Sequence, residues 1–162
     1  MLPSRGCGTP ASVAVGIISV MLKKFVYVTG ALDYLVGIAT AAPVFLTGDP
    51  QQVPSLLTLG AFLCFAAASL MWASKDLATR GCVVVWQALV RLTAVLSTLA
   101  AIQLGIVESM VALYGADAAG ITAGLVGVCV FDGVISMVYL IGTSRMQGHS
   151  LPRLLRGLPA QV

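Results

Sequence analysis

Of the 162 residues, 59% are hydrophobic and only 9% charged, and the mean hydropathy is +1.00. Soluble domains carry about 25% charged residues, so this composition excludes a water-soluble fold. A net charge of +3 is too small to imply a nucleic-acid partner, and the length admits one compact domain of four or five crossings at about 20 residues each.

In chain order, residues 1–20 come first. Their apolar run, Ala11 to Leu22, is about 12 residues, some 18 Å of helix, which is too short to span by itself. A signal peptide is disfavoured because Lys23 and Lys24 stand where a small-residue cleavage site belongs. Cys7 has no hydrophobic stretch before it, which argues against a lipoprotein. The expectation is a disordered or interfacial extension, with Met21 as a natural start in its own right.

Residues 21–146 read as a membrane domain of four spanning helices, at about 25–47, 55–73, 82–104 and 121–142. These runs are apolar all round, whereas barrel strands alternate, so helices are the spanning solution. Pro43 is expected to kink or end the first span early. Turn chemistry marks the links at Thr47-Gly48-Asp49-Pro50 and Ser74-Lys75-Asp76, and residues 105–120 leave room for a short interfacial helix. Residues 147–162 form a short basic tail. The fold class expected is an all-α integral membrane protein, an up-down bundle of four transmembrane helices.

If the spans alternate, Lys23, Lys24, Lys75, Arg80, Arg145, Arg153 and Arg156 share one side with a single acid, Asp76. Asp49, Glu108 and Asp117 hold the other side, without any Lys or Arg. The positive-inside rule then puts both termini in the cytoplasm of a bacterial cell with the chain in its inner membrane, and Trp72 and Trp86 flank the cytoplasmic hairpin as interfacial anchors.

Three charges interrupt the spans: Asp33, Arg91 and Asp132. Each costs roughly 2.5 to 3.5 kcal/mol in lipid unless it is partnered. Asp33 follows Lys24 by nine residues, Arg91 follows Arg80 by eleven, and Asp132 precedes Arg145 by thirteen, which puts all three about 13 to 20 Å from the basic border, in one layer. Their helix faces are small and polar: Gly30, Asp33, Gly37 and Ala41 with Tyr34 alongside; Gln87, Arg91, Ala94, Thr98 and Ala101; and Cys129, Asp132, Ser136 and Tyr139. A guanidinium can hold two carboxylates at once, so a charge cluster is expected, supported by Tyr34, Gln87, Thr98, Ser136 and Tyr139. Two acids and one base leave a surplus negative charge, so one Asp can be protonated at rest. Ser136 and Tyr139 suggest a path for that proton toward the cytoplasm.

Other chemistry finds little support. The four cysteines form no CxxC pair, and His149 is the only histidine, so neither a metal nor another cofactor is expected. The glycine-rich stretch from Gly120 to Gly133 lacks the lysine of a phosphate loop and reads as helix packing. No catalytic constellation is present, which disfavours an enzyme. Neither the glutamate setting of small multidrug-resistance transporters nor the motif residues of DoxX-like proteins is found. The functional expectation is a proton-linked transporter of a small molecule. The alternative is a non-catalytic subunit or assembly factor of a larger membrane complex, and the partners expected are the lipid bilayer and either further copies of the chain or that complex.

Overall fold

Long apolar runs without alternation can satisfy their backbone groups only through the helix ladder. The computed structural model describes residues 10–44, 53–113, 117–146 and 150–158, which are helical almost throughout, with no strand among them. Six helices follow in order: α1 Pro10–Ala41, α2 Val53–Lys75, α3 Leu77–Gln103, α4 Ile106–Leu113, α5 Ala118–Ser144 and α6 Leu151–Leu155. Three are long and apolar enough to cross a membrane: α2, α3 and the Ala119–Ser144 part of α5. The longest, α1 with 32 residues, carries Lys23, Lys24 and Asp33 and is not among those three.

Helix α1 begins earlier than expected, and it ends just before Pro43. It is already helical at Pro10, within the expected 1–20 extension. Pro10 takes a first helical position, where its missing N–H costs nothing, and between Ala11 and Phe25 there is one glycine, Gly16, and no proline to break the ladder. The ladder therefore runs straight through the lysine pair. At the other end α1 stops at Ala41, and Ala42 lies in a turn, because the residue before Pro43 is disfavoured in the helical region. Residues 1–9, the expected end of the first span at 45–47 and the turn at 47–50 lie outside the described residues.

The remaining boundaries are set by caps. Asp76 alone separates α2 from α3; its carboxylate accepts from the N–H of Ala78 at 3.2 Å and of Thr79 at 3.5 Å, and from the Thr79 hydroxyl at 2.7 Å. That hydroxyl above all, helped by the N–H donors and the charge of Arg80, holds the Asp76 carboxyl below its usual range against opposing desolvation. Asp117 caps α5 in the same way through Ala119 and Gly120. Gly105, at φ 67°, ends α3 and turns the chain into α4. Within the expected tail, α6 closes in a Schellman turn at Gly157, φ 70°, with the N–H of Leu158 on the carbonyl of Arg153.

Packing begins with α1 on α2, whose contact points run in opposite chain order. A Cβ at Gly37 would lie 2.7 Å from Cys64 Sγ and 2.9 Å from its backbone nitrogen, and one at Gly60 would lie 2.8 Å from both Ala41 Cβ and the Gly37 carbonyl. Such backbone approach is available only to small residues. Helices α3 and α5 form the second close pair. The apolar core sits at one end of the molecule, where Leu22, Val26, Leu70, Ala73, Leu77, Val84, Ala88, Ile135, Tyr139 and Met146 cluster. This is the end that carries Lys23, Lys75, Arg80 and Arg145.

The glycines sort accordingly. Gly37→Ala and Gly60→Ala should each destabilise the detergent-solubilised protein by about 1 to 3 kcal/mol, because rigid backbone opposes the new methyl. Gly133→Ala meets nothing within 4 Å and should be neutral or stabilising, by up to about 1 kcal/mol. Thermal midpoints of the three variants check this, and equal losses at all three would refute the close approach of α1 to α2.

Candidate functional site

Asp33 comes from α1, Arg91 from α3 and Asp132 from α5, and the structure brings the three together. Arg91 Nη2 donates to Asp33 Oδ2, and Arg91 Nη1 donates to Asp132 Oδ1. One guanidinium thus spans two carboxylates that are 99 positions apart in the chain, a task suited to arginine, whose two terminal nitrogens diverge in a fixed plane. The side chains are mostly buried, at 14% exposure for Arg91, 22% for Asp33 and 23% for Asp132. Each carboxylate engages Arg91 through one oxygen, and among the described residues no donor meets the other oxygen. Arg91 Nε is buried and finds no acceptor.

The stripe on α1 divides between two neighbours. Gly30, Gly37 and Ala41 face α2, whereas Asp33 reaches across to Arg91. On α5, the Ser136 hydroxyl is fully buried and donates to the Asp132 carbonyl at 2.7 Å, one turn back.

Tyr139 is fully buried, and its hydroxyl pairs with Thr29 Oγ1. Thr29 donates to the Phe25 carbonyl at 2.9 Å, so Tyr139 is the donor in that pair. Phe25 meets the Tyr139 ring edge to face, with centroids 6.0 Å apart. The expected hydroxyl path from Asp132 toward the basic end is therefore not formed: Ser136 turns to its own helix backbone and Tyr139 to α1.

The other expected supporting residues lie apart from the cluster. Gln87 Nε2 donates to Ser69 Oγ at 3.4 Å, tying α3 to α2. Tyr34 is 39% exposed, and Thr98 is half-buried two turns farther along α3. Sequence reasoning missed Thr29, although its position one turn before Asp33 on the same face was a usable signal. Cys64, Cys82 and Cys129 are free thiols, and among the described residues no group of three or more His, Cys, Asp or Glu side chains could hold a metal ion.

Compared with known protein families, curated proteins and solved structures, the chain matches none.

Removing one member of a desolvated ion set leaves an uncompensated charge, at a cost of about 3 to 5 kcal/mol. Arg91→Leu should therefore lower yield and thermal stability sharply. The triple variant Asp33→Asn, Arg91→Leu, Asp132→Asn should recover part of the loss, because no stranded charge remains. A triple variant no more stable than Arg91→Leu would show that the pairing does not carry the stability.

Proposed function

We propose that the protein is a four-span membrane protein of the bacterial inner membrane in which the Asp33–Arg91–Asp132 cluster exchanges a proton, coupling proton movement to transport of a small molecule. The observation that carries this reading is the sharing of one guanidinium between two carboxylates. Two acids and one base sum to one surplus negative charge in a poorly solvated place, and the cheapest remedy there is a proton on one carboxyl. Among the described residues no donor meets the second oxygen of either carboxylate, so a proton has somewhere to go.

In this reading α1 is the fourth crossing and the spans alternate up and down. Supporting it, α1 meets α2 at Gly37 and Gly60 in antiparallel order, α5 meets α3 likewise through Asp132 on Arg91 and Cys129 on Val95, and α1 meets α5 at Leu22 and Gly142. Both termini lie in the cytoplasm, following the basic residues. Arg80 supports that border: its guanidinium carbon stacks 3.8 Å from the Trp72 ring centroid, and its Nη1 donates to the Trp72 carbonyl at 3.0 Å. An arginine on a half-exposed tryptophan suits the headgroup layer.

A second reading, a non-catalytic subunit or assembly factor of a larger complex, is favoured by one observation. Gly124 and Gly127 on α5 have open space where a side chain would stand, as a helix face awaiting a neighbour has. A stoichiometric companion recovered in mild detergent would favour this reading.

Two measurements test the proposal. Cysteine labelling in oriented vesicles should place Lys75→Cys and Arg153→Cys in the cytoplasm and Asp117→Cys outside; a cytoplasmic Asp117→Cys sinks the topology. Infrared difference spectra across a pH titration in lipid should show a protonated-carboxyl band that either Asp33→Asn or Asp132→Asn removes while the protein still folds. If neither does, both acids are permanently ionised and proton coupling is the wrong account.

A further inference from the structure

Packing is uneven about the charge cluster. Toward the basic end it rests on a closed floor: Val26, Val84, Ala88, Ile135, Ser136 and Tyr139 are each at most 3% exposed, and the Thr29–Tyr139 hydrogen bond ties α1 to α5 across that floor. On the other side the helices pack loosely. Helix α3 has no buried residue after Arg91, α1 has only Gly37 after Asp33, and the described part of α5 before Asp132 has only Cys129. Gly37, moreover, faces α2.

The loosely packed half also carries one sign of charge. No Lys or Arg occurs between Lys24 and Lys75, or between Arg91 and Arg145, whereas Glu108 and Asp117 do. Glu108 lines an open groove of about 640 Å³ with Ala119, Thr122, Ala123 and Val126. Low-dielectric walls with one sign of charge raise the local concentration of counter-ions. Asp33 and Asp132, where the packed half gives way to this one, each have one carboxylate oxygen that Arg91 leaves unbonded.

We infer that the Asp33–Arg91–Asp132 cluster binds a small alkylammonium cation, admitted from the end that carries Glu108 and Asp117 and shut off from the basic end by the Thr29–Tyr139 hydrogen bond. The N–H donors of the cation meet the free oxygens of Asp33 and Asp132, and its charge neutralises the surplus that a proton neutralises in its absence. The inference rests on the proton-exchange reading above. Cation and proton compete for one negative charge, so binding of one releases the other, and the exchange is balanced in charge. Arg91 stays bound to both acids and keeps the site from taking a second cation.

The test uses the full chain in membrane vesicles of both orientations, with the native cysteines replaced by alanine and one reporter added. Thr98→Cys stands two turns outward of Arg91, and Ser136→Cys one turn inward of Asp132. Rates with a trimethylammonium-bearing and a sulfonate-bearing methanethiosulfonate are each normalised to a free thiol. Thr98→Cys should react about tenfold faster with the cationic reagent, and only from the acidic end, while Ser136→Cys stays silent from both sides. Equal rates for the two reagents, or labelling of Ser136→Cys from the basic end, overturns the inference.

The second readout is competition. Methylammonium should lower the pH at which the infrared carboxyl band titrates, by about one unit for each tenfold excess over its dissociation constant. A band that titrates but ignores methylammonium overturns cation binding and leaves the proton reading standing. A missing band removes the proton reading itself, and this inference with it.

Discussion

Arg91 joins two helix pairs at the level where the apolar core they share gives out. Helices α1 and α2 hold each other through glycine contacts, and α3 and α5 form a pair of their own. Between the pairs run a one-residue turn at Asp76, the Gln87–Ser69 hydrogen bond, the Thr29–Tyr139 hydrogen bond and the apolar cluster at the basic end. The guanidinium adds one ionic contact to each pair's acid, and does so where that apolar cluster gives out. Lysine could not replace it, since a single ammonium has no fixed fork to hold two carboxylates on opposite sides. The arrangement specifies which helices are neighbours more than it adds stability, because desolvating three charges offsets much of what their attraction returns.

The triad was legible because depth follows from counting. With 1.5 Å per residue and basic residues marking one border, three charges on separate helices fall into one layer whatever the packing. Azimuth was less legible. Gly30, Asp33, Gly37 and Ala41 look like one stripe, yet at 100° per residue Asp33 stands about 60° round from Gly30, whereas Gly37 and Ala41 lie about 20° to either side. Sixty degrees is enough to face a different neighbour. Glycines therefore went to α2 and the acid to α3. Likewise, no periodicity could pair Thr29 with Tyr139, because that contact depends on which helices adjoin. The start of α1 was hidden for another reason: hydropathy reports where lipid can be, whereas a helix continues until its backbone is stopped, and Lys23 and Lys24 stop nothing.

The division into a packed end and a loose end has a physical origin in side-chain size. Near the basic border the facing positions are Leu22, Val26, Leu70, Val84, Ile135 and Tyr139, large enough to fill the space between four helices. Past the cluster the corresponding surface of α3 carries Ala94, Thr98 and Ala101, too small to fill the same gap. Small residues consolidate a bundle only when backbones close to contact, as α1 and α2 do. Where they do not close, the same residues leave room.

That room meets a charge imbalance. A wholly structural cluster would do best with equal numbers of acids and bases, since a surplus charge in a low-dielectric place is a burden without return. Here a third partner is called for by electrostatics, and the geometry limits what it can be. It must be positive, because the surplus is negative. It must be small, because Arg91 already occupies the space between the carboxylates. It must also arrive from the loose end, because the other side is filled by Tyr139 and its neighbours. A proton meets all three conditions, and so does a small ammonium ion. In the proposed reading the site accepts either one in turn, with its inner side closed by a hydrogen bond instead of an ion pair, as the start of an exchange cycle requires.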